Sequence, residues 1–120
     1  MLKKENRLSS DKDFQRVFKG SRPIHMQNLT FCVAKQNSRT QELKNSRTRF
    51  GFVISNKISK LATRRNALKR QLRAIIEKSI SSIQPGYNIV IMVKQDFPWP
   101  YEQENIGHQV VEGLKRAGLL

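Results

Sequence analysis

Basic side chains are concentrated in the middle of the chain, where they could bind a polyanion. Between Glu42 and Glu77 there is no acidic residue, while ten basic ones occur: Lys44, Arg47, Arg49, Lys57, Lys60, Arg64, Arg65, Lys69, Arg70 and Arg73. Lysine and arginine donate charge-assisted hydrogen bonds to phosphate and neutralise its charge. Because this segment cannot neutralise itself, its composition predicts an anionic partner.

Groups that could break a covalent bond are few and dispersed in the sequence. A protein nuclease usually needs clustered carboxylates that hold metal ions, or histidines that transfer protons. Asp11 and Asp13 are close together, but a position at the start of a helix explains them. His25 and His108 are isolated, and Cys32 has no histidine or aspartate pattern around it. With no P-loop, zinc spacing or glycine-rich fingerprint, we expect no catalytic residue and no metal site in the polypeptide.

The overall charge restricts the class of partner. The 120 residues have a net charge of +14 and a pI near 10.7, and their length predicts one domain over 1–120. Such a charge favours nucleic acid or an anionic membrane surface. No apolar run approaches the ~20 residues of a membrane span, and the N-terminus lacks the apolar segment of a signal peptide. With a single cysteine, the composition predicts a cytoplasmic protein that binds no membrane.

A strand and a helix must position the basic side chains. Residues 50–76 have the pattern of a buried strand, a short basic connection and an amphipathic helix. At 100° per residue, one apolar face of this helix is predicted to contain Leu61, Leu68, Leu72, Ile75, Ile76 and Ile83. An adjoining face contains Asn66, Lys69, Arg70 and Arg73. Such a face can simply be solvated, but like charges four residues apart, as in Arg65 and Lys69, repel unless phosphates neutralise them.

Further elements are predicted on either side of this segment. Ser10 can cap a short helix that ends at Gly20, and its apolar face contains Phe14, Val17 and Phe18. Residues 29–35 alternate as a strand with Leu29, Phe31 and Val33 on one face. The polar residues 36–48 are predicted to form a hairpin loop, with residues 49–55 as the return strand.

The last third of the chain predicts a central strand and a final helix. Residues 87–94 are apolar on both faces, which is typical of a strand in the middle of a sheet, reached through a helical crossover from a parallel neighbour. Pro98 and Pro100 break the chain, and Trp99 between them is predicted to be a packing lid, with a stacking platform as the less favoured alternative. An amphipathic helix follows, with Ile106, Val110, Leu114 and Ala117 directed inward and Gly118 at its end.

The central segment resembles the protein subunit of bacterial ribonuclease P. That family has a strand ending in Ser-x-Lys, followed by a helix with Arg-Asn-Arg-x-x-Lys-Arg. The corresponding residues here are Ser55-Asn56-Lys57 and Arg65-Asn66-Ala67-Leu68-Lys69-Arg70. Ala67 departs from the pattern, and we expect the loss of one contact there, for which Arg64 partly compensates. The resemblance covers nearly the whole chain.

The resemblance implies a fold and a function. The predicted elements themselves indicate an α+β fold with one layer of helices on a small mixed sheet. The family adds a third strand, which gives the order α-β-β-β-α-β-α, and implies a fold of the ribosomal protein S5 domain 2-like group. It also implies a left-handed β-α-β crossover, whereas the general rule predicts a right-handed one. The third strand would split or join the second predicted run. In this family the RNA subunit is the catalyst and removes the 5′ leader of precursor tRNA with magnesium that the RNA holds. The protein binds the RNA subunit and precursor tRNA, not DNA.

Two sets of site residues follow from the resemblance. The set that binds the RNA subunit comprises Lys57, Lys60, Arg64, Arg65, Asn66, Lys69, Arg70 and Arg73. The set that lines a cleft for the single-stranded leader comprises Phe14, Phe18, Phe31, Arg49, Gly51 and Ser55. Bases could stack on the three phenylalanine rings, although core packing explains Phe14 and Phe18 equally well. The small residues Gly51 and Ser55 would let RNA approach the strand.

Other functions are compatible with part of this pattern. A structural RNA-binding protein of ribosomal or assembly type needs the same charge but no leader cleft. A DNA-binding module would place the basic helix in a major groove, but no second helix lies immediately upstream and no zipper heptads occur. A ribonuclease that acts alone would need paired histidines.

Overall fold

The structure, a computed structural model, describes residues 7–8, 11–35, 48–55, 57–58 and 60–120. The predicted helix cap Ser10 and most of the predicted loop, residues 36–47, lie outside these ranges. The described part contains three helices, α1 (Asp11–Gly20), α2 (Ala62–Ser79) and α3 (Gln103–Arg116), and four strands, β1 (Arg22–His25), β2 (Leu29–Lys35), β3 (Arg49–Val53) and β4 (Tyr87–Val93). The element order α-β-β-β-α-β-α is therefore confirmed.

The four strands form one mixed sheet in the order β1-β2-β4-β3. Strand β4 pairs antiparallel with β2 and parallel with β3, so α2 is the crossover that was predicted, and its handedness stays a prediction. The predicted hairpin between β2 and β3 was wrong, because β4 lies between them. The physical reason is that β4 is apolar on both faces, and the interior of the sheet is the position that buries both.

Strand β1 was not predicted at its observed position. It pairs antiparallel with β2 at the edge of the sheet, so the third strand precedes the two predicted runs and does not split the second. Only Ile24 in β1 is partly buried, and Pro23 has no N–H to donate to the sheet. The alternation that identifies a half-buried strand is therefore missing, as is common at an edge.

Helices cover both faces of the sheet, which corrects the prediction of a single layer. Helices α2 and α3 pack on each other and share the main core with one face of the sheet, which includes Phe31, Phe50 and Ile91. Helix α1 packs on β2 and β4, where Val17 lies in a second, smaller cluster with Cys32 and Val90. Successive residues of each strand thus face opposite sides of the sheet and pack against different helices.

Helix α2 is shorter than its apolar pattern predicted. Leu68, Leu72, Ile75 and Ile76 are buried as expected. Leu61, however, precedes the helix and is 53% exposed, and Ile83 is buried in the turn beyond its end. A helical wheel cannot detect that the chain has left the helix, so it assigned both residues to a face that ends before them.

Helix α3 was predicted well, and it is fastened to the sheet by a buried pair of amides. Ile106, Val110 and Leu114 are buried, and Gly118 follows the helix with φ of +78°. Gln109 Nε2 donates to Asn28 Oδ1 at 2.7 Å, and Asn28 N donates to Gln109 Oε1 at 2.9 Å. None of the helices in the described part of the chain is both long and apolar enough to cross a membrane.

Candidate nucleic-acid interface

Burial of one side of α2 determines which of its cations reach the surface. The buried leucine and isoleucine row holds that side against the sheet, so the opposite side is solvated. Asn66 and Arg70 are exposed there, and Arg64, Arg65, Lys69 and Arg73 on the flanks are partly buried. Lys57 and Lys60 are exposed just before the helix, while Asn56 of the motif lies outside the described residues.

A cleft lies along β3, the edge strand next to α2. It is lined by Arg7, Leu8, Phe14, Phe50, Gly51, Phe52, Lys69 and Arg73. Lys69 and Arg73 come from the predicted RNA-subunit set, whereas Phe14 and Gly51 come from the predicted leader set. The structure therefore places residues of both sets on one surface, which the sequence did not predict.

Two of the arginines that line the cleft each have a buried donor without a partner. In the described part of the chain, the Nε atoms of Arg7 and Arg73 are buried and have no hydrogen-bond partner. A buried donor without a partner is unfavourable, and the two guanidinium groups place positive charge at the cleft. Arg7 was not among the predicted site residues. Its position follows from the segment of residues 7–8, in which Leu8 N donates to Phe50 O at 2.8 Å beside β3.

Gly51 is small because a phenylalanine ring lies against it. A Cβ atom at Gly51 would be 2.5 Å from both Cε1 and Cζ of Phe14, which is closer than real Cβ contacts. The space predicted for RNA at this glycine is thus filled by Phe14, and that part of the prediction was wrong. Phe14 itself is half-buried and lines the cleft, so RNA would meet the ring instead of the strand backbone.

The other predicted cleft residues differ in exposure. Phe18 is 44% exposed on α1, and Arg49 and Ser55 are also exposed, so all three are accessible. Phe31 has no exposed surface and packs in the main core on the other face of the sheet. A Cβ atom at Gly113 of α3 would overlap its ring. Because a ring without a free face cannot stack on a base, the assignment of Phe31 to the cleft was wrong.

Trp99 is exposed, which the prediction of a packing lid did not anticipate. Its side chain is 52% exposed, and the guanidinium carbon of Arg64 lies 4.5 Å from the centroid of its ring. Tyr101 contacts it edge to face, with 4.9 Å between ring centroids.

The described residues contain no group of three or more histidine, cysteine, aspartate or glutamate side chains that could hold a metal ion. Within those residues there is thus no such group for magnesium, which the resemblance assigns to the RNA subunit. The surface of the described residues offers positive charge and aromatic rings. These features define a nucleic-acid-binding protein.

Comparison with known proteins identifies the family. The Ribonuclease P family model matches residues 2–118, so the chain belongs to that family. The ribonuclease P protein component of Pseudanabaena sp. (strain PCC 6903) is 34% identical over 120 residues, which cover 100% of this chain and 97% of that protein. That of Synechocystis sp. (strain ATCC 27184 / PCC 6803 / Kazusa) is 38% identical over 92 residues, covering 77% of this chain and 69% of that protein.

Solved structures of bacterial proteins have the same fold. The RNase P protein from Thermotoga maritima superposes with a TM-score of 0.77 at 25% identity, covering 92% of this chain and 96% of that one. A Staphylococcus aureus RNase P protein mutant with defective mRNA degradation activity gives a TM-score of 0.81 at 22% identity, covering 98% and 92% of the two chains. The second similarity concerns the fold alone.

Proposed function

We propose that this chain is the RNA-binding protein component of ribonuclease P, which assists a catalytic RNA in removing the 5′ leader from precursor tRNA. The observation that carries this proposal is the cleft along β3, where Lys69 and Arg73 of the basic helix meet the ring of Phe14. Cations beside an aromatic ring suit an unpaired strand, because they neutralise its phosphates while a base stacks.

Two surfaces divide the work in this proposal. The exposed side of α2 and the residues before it bind the RNA subunit: Lys57, Lys60, Arg64, Arg65, Asn66, Lys69, Arg70 and Arg73. The cleft binds the leader through Phe14 and Arg7, which line it, and the exposed Phe18, Arg49 and Ser55 belong to the same proposed set. Stacking on a ring tolerates any base, which suits leaders that differ between precursors.

The catalyst in this proposal is RNA and its magnesium ions. The polypeptide carries no catalytic residue, and magnesium is held by the RNA subunit in the cytoplasm. The protein contributes by neutralising phosphates, which lets two folded RNAs approach and keeps the metal sites occupied when magnesium is scarce. Ala67 is partly buried and packs against the main core. At this position the chain therefore has an apolar packing contact where the family usually has an arginine.

The test is cleavage of a 5′-labelled precursor tRNA by the cognate catalytic RNA at low magnesium, with and without the protein. We expect a single cut at the mature 5′ end that requires both components. If the protein binds RNA but does not change this reaction, it is a structural RNA-binding protein and the proposal is wrong. Cleavage by the protein alone would contradict the assignment of catalysis to the RNA.

Phe14 provides a test of the leader cleft. In Phe14→Ala we expect the Kd for precursor tRNA to rise roughly tenfold, because a stacked base contributes ~1–3 kcal/mol. The Kd for mature tRNA, which has no leader, should stay unchanged, and the two are compared by titration with the assembled holoenzyme. Loss of affinity for both RNAs would indicate a folding defect or a general RNA contact instead of leader binding.

A further inference from the structure

The single tryptophan of the chain stands at the surface beside the basic helix. Trp99 is 52% exposed, and it lies in the connection between β4 and α3. Exposed tryptophan is unusual because burial of its large ring is favourable. Neither the cleft along β3 nor the cations on the exposed side of α2 account for it.

The connection that carries Trp99 is ordered by a hydrogen bond within it and by hydrogen bonds from Asn28 and from α2. Tyr101, which contacts the indole edge to face, is buried, and its hydroxyl donates to Asp96 Oδ1 at 2.8 Å. Asn28 Nδ2 donates to the carbonyl oxygens of Gln95 and Asp96 at 3.0 and 2.9 Å. Because several hydrogen bonds order this segment, its tryptophan is presented in a defined position.

Helix α2 provides the third attachment and the charge. Gln71 Nε2 donates to the carbonyl oxygen of Tyr101 at 3.1 Å, and Arg64 stacks on the indole at 4.5 Å. These two residues are seven apart, about 20° on the helical wheel, so they lie on one stripe of α2. A guanidinium that stacks through its flat face keeps its N–H donors, which lie in the plane, available for phosphate.

This stripe lies across α2 from the cleft. On the same wheel, Lys69 and Arg73 are about 140° and 180° from Arg64, and the exposed Arg70 lies between the two flanks at about 240°. An RNA strand that follows the exposed side of α2 therefore has cations on both flanks. Only the flank of Arg64 adds an exposed aromatic ring outside the cleft.

We propose that Trp99 and Arg64 form a second base-stacking site, which takes an unpaired nucleotide of the RNA bound along α2. Trp99 provides the apolar ring face for the base, and Arg64 binds the adjoining phosphate. The inference rests on the proposed function, because it requires RNA on α2. The positive charge of Arg64 favours an RNA partner over a protein with a plain apolar surface, and stacking on an aromatic ring accepts any base.

Because the chain has one tryptophan, its fluorescence reports on this site directly. The full chain is titrated with the cognate catalytic RNA, and in parallel with heparin, a polyanion without bases, at equal anionic charge. We expect RNA to quench Trp99 emission by half or more and to protect it from acrylamide, whereas heparin binds with little quenching. Equal quenching by both polyanions, or none with bound RNA, would overturn the proposal.

Substitutions separate stacking from charge. Trp99→Leu keeps an apolar side chain but removes the ring system, and we expect the Kd for the catalytic RNA to rise roughly tenfold. Trp99→Phe should stay close to the parent, because it retains a ring. Thermal unfolding checks that both variants are folded. If Trp99→Leu binds as tightly as the parent, the site does not exist.

Arg64 has a matched control elsewhere. Arg64→Gln and Arg116→Gln remove the same charge, but Arg116 is in the last turn of α3. We expect the Arg64 variant alone to weaken RNA binding several-fold and to reduce the tryptophan quenching; equal effects of the two variants would contradict its role. If no variant and not even the parent chain binds the RNA in a mobility shift, the proposed function fails as well. Binding that depends on Lys69 and Arg70 without tryptophan quenching overturns this inference alone.

Discussion

Replacing Lys69 and Arg70 together by alanine should remove nearly all protein-dependent cleavage of precursor tRNA at low magnesium. Both residues belong to the motif, and they lie on the flank and the exposed side of α2. A hydrogen bond to a charged group contributes about 1.5–3 kcal/mol, so two lost phosphate contacts raise the Kd for the RNA subunit roughly 100-fold or more. The measurement is single-turnover cleavage across a magnesium titration.

The matched control is the double variant Lys115→Ala/Arg116→Ala, which removes the same charge from the last turn of α3. Its effect should be small, because it changes only the screened long-range attraction. For the Lys69/Arg70 variant, the logarithm of the binding constant should also fall less steeply with the logarithm of the salt concentration, by the contribution of about two phosphate contacts. Its cleavage activity should recover at high magnesium. Unchanged activity of that variant at low magnesium would contradict the proposed function.

Phe31→Ala is expected to have the largest effect on stability. The ring is fully buried and in close contact with Gly113 of α3, so its removal leaves a cavity between sheet and helix. Truncation of a buried phenylalanine lowers the free energy of unfolding by about 3–5 kcal/mol. That is a large part of the about 5–15 kcal/mol typical of a domain. Urea unfolding followed by circular dichroism measures it.

Phe18→Ala is the control, because the same ring is removed from an exposed site on α1, and we expect a loss below about 1 kcal/mol. At a temperature where Phe31→Ala remains folded, its preference for precursor over mature tRNA should equal that of the parent. A stable Phe31→Ala protein that has lost only this preference would return Phe31 to the leader cleft and contradict its position in the structure.

Local patterns predicted most of the elements. Residues 29–35 were predicted as a strand from their alternation and form β2 with those bounds. The run from 87 onward, apolar on both faces, was correctly predicted as an inner strand. Edge strand β1 was not predicted, because its proline and exposed side chains leave no alternation of apolar and polar residues.

The site was predicted less completely than the elements. The cations of α2 were recognisable from composition and the Lys-Arg motif, and they are accessible to different degrees in the structure. Phe31 was assigned to the cleft because the resemblance implies a cleft aromatic at its position. In a strand, however, neighbouring residues face opposite sides, and sequence could not tell which side α1 covers. Trp99 shows the converse error, since a large apolar residue was expected to be buried.

From the sequence by itself came the prediction of a polyanionic partner, the lack of a catalytic pattern among acidic residues and histidines, and the positions of most helices and strands. These properties depend on charge and on periodicity over a few residues, which are local. The tertiary structure decided that β4 separates β2 from β3, that Arg7 and Phe14 meet Lys69 and Arg73 in one cleft, and that Trp99 is exposed beside Arg64. Those outcomes depend on contacts between residues far apart in the chain, where several pairings satisfy the same local pattern and only packing of the whole core selects one.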